Sequence, residues 1–197
     1  MLRKALHIPL WILTVAFIAS CTSQPPHYQS IDITGANYQS NVELTDQNGK
    51  RRMLSDFKGK YTLVFFGFTK CPAVCPTTLA KLSNVKKKLG SDSSRIQVIL
   101  ITVDPERDTT DVLKNYLSAF DPDFIGLRGN QEKTRQIAKD LHIFYQKVPM
   151  ENGDYMMEHT ALTYIFDSQG RVRLAASDQM TADQVAEDIK TLFNHAI

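Results

Sequence analysis

The stretch Leu63-Val64-Phe65-Phe66-Gly67-Phe68-Thr69-Lys70-Cys71-Pro72-Ala73-Val74-Cys75-Pro76 decides how this chain folds. Its opening residues are almost continuously apolar, as in a strand covered on both faces. A helical pattern follows from about Pro76 to Leu89, with Leu79, Leu82, Val85 and Leu89 on one face. Two cysteines therefore sit where a buried strand gives way to a helix. Partial positive charge and unpaired N–H groups at a helix N-terminus favour a thiolate over a thiol. Pro76 disfavours helical geometry at the residue before it, which predicts Cys75 as the N-cap and Pro76 as the first helical residue. Cys71 then lies in the preceding loop and can fold back over Cys75. The three residues between them leave room for a metal between the sulfurs. A structural disulfide, a redox dithiol and a soft-metal site all fit the pair. The short, proline-bounded placement ahead of a helix favours the last two.

Outward from this stretch, strands and helices alternate. On the N-terminal side, Val42 and Leu44 alternate with polar residues, Asp46-Gln47-Asn48-Gly49 signals a turn, and Arg51 to Leu54 can return as a hairpin. On the C-terminal side, Ile96 to Val103 is a second buried run, broken by Asp104-Pro105. Asp108 or Thr109 can cap the next helix, whose apolar face is Val112, Leu113, Tyr116, Leu117 and Phe120. Phe124 to Leu127 is a short strand, and Asn130 caps a helix bearing Ile137, Ala138 and Leu141. Phe144 to Val148 reads as a further strand, and a loop containing Asn152-Gly153 leads to Tyr155-Met156-Met157-Glu158-His159-Thr160. Ala161 to Phe166 and Val172 to Ala176 pair across a turn. Thr181-Ala182-Asp183-Gln184 is a capping box opening a last helix with Val185, Ile189 and Phe193 on one side. This order predicts an α/β fold with a mixed central sheet flanked by helices and an N-terminal hairpin. Cysteines at the first strand–helix turn make it look thioredoxin-like.

The chain has 197 residues, with 23 Lys plus Arg against 21 Asp plus Glu. Arg3 and Lys4 account for the difference. The remainder is formally neutral, which argues against nucleic acid and against purely electrostatic membrane binding. Those two residues open a leader whose apolar run is Leu10 to Ile18. Ile18-Ala19-Ser20-Cys21 follows and resembles the lipobox of bacterial lipoproteins, whose cysteine is lipidated and becomes the new N-terminus. The expected organisation is a signal peptide over residues 1–20, a membrane-proximal linker over 21–40, and one domain over 41–197. The domain then faces a non-cytoplasmic compartment of the bacterial envelope, anchored through Cys21. In such an oxidising compartment, paired thiols outside a disulfide scaffold need a reductant or a metal to stay unoxidised.

His159 is the third candidate. Taken alone it is as readily a packed loop histidine as a ligand. In a thioredoxin-type fold, the loop before the strand at Ala161 lies against the cysteine turn, which would bring His159 to both sulfurs. Three segments resemble the Sco/SenC family: Gly67 to Pro76, Val103-Asp104-Pro105-Glu106-Arg107-Asp108-Thr109, and Tyr155 to Thr160. The resemblance runs from about Val42 to Phe193. It implies a membrane-tethered thioredoxin-fold protein that binds copper and helps assemble the binuclear copper (CuA) centre of cytochrome c oxidase. It also implies Cys71, Cys75 and His159 as ligands to one Cu(I) or Cu(II) per domain. The expected partner is the CuA-bearing subunit or another copper or thiol protein. The donor chemistry agrees, because thiolates select Cu(I) and imidazole also suits Cu(II). Oxidation of the two thiols to a disulfide would end binding.

The chain departs from the family pattern at Ala73 and Glu158, where aspartate is usual. Ala73 removes a negative charge from beside the thiols. Glu158 keeps the charge on a longer arm, so Glu158 and Asp104 are candidate second-sphere groups. Met156 and Met157 read as core or loop filling. A thiol–disulfide oxidoreductase that carries no copper is the alternative function. A peroxidase, or a binding module with an inert disulfide, fits the dithiol–histidine pattern less well.

Overall fold

The computed structural model describes residues 26–151 and 153–195. The leader and Cys21 lie outside them. The central strand β4 (Tyr61–Gly67) is buried at every position, and β5 (Ile96–Thr102) is buried at all but one. They pair in parallel, with Tyr61 opposite Ile96 and Gly67 opposite Thr102. β6 (Ile125–Arg128) extends the parallel set beyond β5. On the other side of β4, β9 (Thr163–Phe166) and β10 (Val172–Ala176) run antiparallel. β1 (Ile31–Asp32) closes that edge, and the hairpin of β2 (Leu44–Asp46) and β3 (Arg51–Arg52) closes the other. The order is β1-β10-β9-β4-β5-β6-β2-β3, the mixed sheet and N-terminal hairpin that the sequence implies.

Four helices accompany the sheet: α1 (Val74–Leu89), α2 (Thr110–Ser118), α3 (Gln131–Asp140) and α4 (Ala182–Asn194). Three start as their sequences demand, with Thr109, Asn130 and Thr181 accepting bonds from the backbone three residues on. Leu113 and Leu117 of α2 face the core, whereas Val112 is 39% exposed. Phe65, Phe66, Leu79, Leu82, Leu100 and Ile189 are among the fully buried side chains of the sheet, α1 and α4. Each stabilises the fold by about 1.5–3 kcal/mol relative to exposure.

Three local expectations are corrected. α1 begins at Val74 with Ala73 as its N-cap, so Cys75 is inside the helix and Pro76 is its third residue. The first helical N–H groups have no intrahelical acceptor, so proline forfeits no bond there. The first such bond is from Thr77 to the Ala73 carbonyl at 3.2 Å. Tyr155–His159 is a strand, β8, paired with β7 (Tyr145–Pro149) as a separate two-stranded sheet. Finally, the stretch read as a linker as far as residue 40 is docked in part. The N–H groups of Gln29 and Ser30 each reach the buried Asp188 carboxylate at 2.8 Å, and β1 pairs with β10. Polar composition hides this docking, because its acceptors are a carboxylate and a strand edge far along the chain.

Candidate metal centre

β4 ends at Gly67, and the chain turns through Phe68 to Ala73 into α1. The Cys71 N–H bonds the Phe68 carbonyl at 3.3 Å, which curls the loop back. Cys71 Sγ then accepts the Cys75 backbone N–H at 3.3 Å. Cys75 is fully buried and Cys71 half-buried. Gly67 allows this approach: a Cβ there would lie 2.9 Å from Cys75 Sγ and 2.7 Å from Phe65 Cε1.

The β7–β8 hairpin delivers the third group. His159, the last residue of β8, places Nε2 3.5 Å from Cys75 Sγ. Its Nδ1 faces the Thr160 carbonyl at 3.0 Å. A carbonyl only accepts, so Nδ1 carries the proton and the Nε2 lone pair points to the sulfurs. The rings of Phe65 and Phe68 stand edge-on to the imidazole at 5.8 and 5.9 Å. One ligand atom from each of Cys71, Cys75 and His159 lies within 4.8 Å of the others. Bonds of about 2.0–2.3 Å to nitrogen and sulfur would space three donors around one ion by roughly 3.5–4 Å. The set therefore fits a soft metal ion with a small inward movement of the side chains.

The two sulfurs differ in proton affinity. The Cys71 thiol is pulled down to about 3, first by its bond from the Cys75 side chain, against burial, and further by backbone N–H groups. Cys75 is pushed up, first by the same bond to Cys71 and then by burial. The pair thus holds one thiolate, on the more exposed sulfur, beside one protonated thiol. A cavity of about 510 Å³ opens over Cys71, bordered by Pro72, Val74, Phe144, Met156 and His159. Met156 lines this cavity and Met157 is buried, the filling roles their sequence suggests.

The two candidate second-sphere acids do not touch the donors. The Glu158 carboxylate accepts from Gln146 Nε2 across the hairpin at 2.8 Å, and the Thr160 carbonyl takes the imidazole proton in its place. Asp104 is fully buried, pairs with Arg107 and accepts the Tyr155 hydroxyl at 2.8 Å. It supports the start of β8 rather than the metal position. Asp108, read as a possible helix cap, accepts from Thr69 Oγ1 at 2.5 Å and Thr102 Oγ1 at 2.6 Å. It ties the cysteine loop to the end of β5. Burial pushes its carboxyl up, against the bonds from both threonines. Neither this role nor that of Arg107 is fully legible locally, since Thr69 lies 39 residues from Asp108 and Tyr155 lies 48 residues from Arg107 along the chain.

A thiolate–thiol pair facing an imidazole, at the first strand–helix turn of a mixed sheet flanked by helices, defines a thioredoxin-like protein with a soft-metal site. The SCO1/SenC family model matches residues 32–194, and the chain belongs to that family. It is 38% identical over 150 residues to an SCO2-like protein of Rickettsia prowazekii, covering 75% of this chain and 73% of that one. Among solved structures, it resembles Bradyrhizobium japonicum ScoI with copper bound, at 44% identity and a TM-score of 0.71, covering 76% of this chain and 95% of that one. It also resembles a SCO1/SenC family lipoprotein of Bacillus anthracis, at 27% identity and a TM-score of 0.67, covering 80% and 96% respectively.

Proposed function

We propose that this chain is a copper-binding protein that holds one copper ion on Cys71, Cys75 and His159. It delivers the ion to, or prepares the thiols of, the CuA centre of cytochrome c oxidase. The observation that carries this reading is the convergence of two sulfurs and one imidazole nitrogen within 4.8 Å. Copper is cargo here. The thiolate of Cys71 offers the first bond, Cys75 gives up its proton as it binds, and Nε2 completes the set. Three protein donors leave a position open to an incoming ligand of an acceptor, and the cavity lined by Cys71 and His159 gives it access. The relative of known structure with copper bound supports this chemistry.

The proposed address is the bacterial envelope, with lipid on Cys21 and the domain on the non-cytoplasmic side. The lipobox and the lipoprotein relative support it. No helix among the described residues is long and apolar enough to cross a membrane. With Gln29 held by Asp188, the chain from Cys21 reaches at most about 29 Å, so the domain would work close to the membrane surface.

The half-exposed thiolate beside a buried thiol favours a second reading, thiol–disulfide exchange. The Cys71 thiolate would attack a target disulfide and expel one target sulfur as a thiolate. Cys75, losing its proton, would then attack Cys71 and release the second. The target gains two electrons, this chain becomes the disulfide, and a further reductant must restore it. His159 separates the readings, because exchange needs no imidazole ligand. In cells grown at limiting copper, His159→Ala should lower oxidase activity as far as deletion does, while the purified variant keeps dithiol exchange. Full oxidase activity in that strain would reject copper delivery.

A further inference from the structure

The two halves of the site come from distant parts of the chain, and one side chain touches both. Arg107 follows β5 in a turn, with its side chain 14% exposed. Its guanidinium carbon sits 3.7 Å over the Tyr155 ring and 6.0 Å from the centre of the Phe68 ring. Nε pairs with buried Asp104, and Nη1 donates to the Tyr155 carbonyl at 2.9 Å and to Asp154 at 3.1 Å. The Tyr155 hydroxyl returns to Asp104 at 2.8 Å. Phe68 stands edge-on to His159, and its carbonyl takes the Cys71 N–H. Tyr155 begins the strand that ends at His159. Among the described residues, the β7–β8 hairpin shares no hydrogen-bonded ladder with the main sheet. Its placement therefore depends on side-chain contacts such as these.

We propose that Arg107 is a positioning residue that sets His159 opposite the two sulfurs by clamping the start of β8 to the cysteine loop. The inference rests on the copper reading above. The dithiol is built on the loop and α1 alone, so loosening the clamp leaves the sulfurs paired and frees the imidazole. Two thiolates suffice for Cu(I), whereas Cu(II) depends on the nitrogen. Loss of the clamp is therefore selective for the oxidation state.

The test uses the purified full chain as wild type, Arg107→Lys and Tyr155→Phe. Lysine keeps the charge beside Asp104 but loses the planar stack and the fork of donors. Tyr155→Phe keeps the ring, loses the hydroxyl's bonds to Asp104 at 2.8 Å and Glu106 at 3.5 Å, and decides the matter if the lysine variant does not fold. Cu(II) affinity should fall by about 10–100-fold, Cu(I) affinity should hold, and the His159 ring resonances of the metal-free protein should move toward those of a free imidazole. Equal losses of Cu(I) and Cu(II), or unmoved His159 resonances, would overturn the proposal. If wild type binds no copper, the functional reading fails instead, and the metal-free resonances still decide whether the clamp positions His159.

Discussion

Cys71 and Cys75 are four residues apart and behave as opposites. The half-exposed sulfur collects the hydrogen bonds and keeps the negative charge, and the buried one keeps the proton. The folded value of Cys71 lies far below that of an unfolded thiol, about 8.5. Its contribution to stability is therefore absent below about pH 3, grows as pH rises toward 8.5, and is lost again on acidification. Cys75 has the opposite sign: its contribution is full below the unfolded value and is lost at higher pH. The reduced, metal-free protein should accordingly exceed Cys71→Ser in urea midpoint by more at pH 8 than at pH 5. Equal gaps at the two pH values would contradict a thiolate on Cys71. The sequence pointed to both cysteines through their spacing at a strand–helix turn, and to His159 only through the expected fold and the family resemblance. It did not reveal which sulfur ionises, because that depends on burial and on the helix starting at Val74 rather than Pro76. The role of Asp108 was hidden for a related reason: one aspartate before a threonine reads as a cap until Thr69 and Thr102 are seen around it.

At the scale of elements, the apolar runs of β4 and β5 and the stripe of α1 identify themselves by period alone. Of the β7–β8 hairpin, β7 is read as a strand and β8 is not. Its sequence alternates weakly, its residues are mostly half-buried or exposed, and it sits outside the main sheet, so Tyr155–His159 reads as a loop. The contact between β4 and α1 is where packing meets the site. A methyl group at Gly67 would press on Phe65 and on the Cys75 sulfur, both fully buried. Gly67→Ala should cost about 1–3 kcal/mol in urea unfolding, as overpacking does, and should weaken copper binding as well. A variant with wild-type stability and affinity would show that α1 can move away from β4 without cost to the site.

Across the whole molecule, the sheet and its helices serve to bring residues 71, 75 and 159 to one point, and each contributor is anchored by a different device. The cysteine loop hangs from the central strand. The histidine hairpin is held by side-chain contacts around Arg107 and Tyr155. The N-terminal approach is fixed on Asp188 and on the free edge of β10. The alternation of strands and helices foretold the first of these arrangements. The other two rest on contacts between residues dozens to more than a hundred positions apart, which periodicity cannot encode. The central claim is that this arrangement is a single copper site with two sulfurs and one nitrogen. Titration of the reduced full chain with Cu(I) and Cu(II), beside Cys71→Ala, Cys75→Ala and His159→Ala, tests it most directly. Wild type should bind about one ion in either oxidation state, each cysteine variant should lose nearly all binding, and His159→Ala should keep Cu(I) while holding Cu(II) poorly. Matching Cu(II) spectra for wild type and His159→Ala, or a cysteine variant that binds as wild type does, would contradict it.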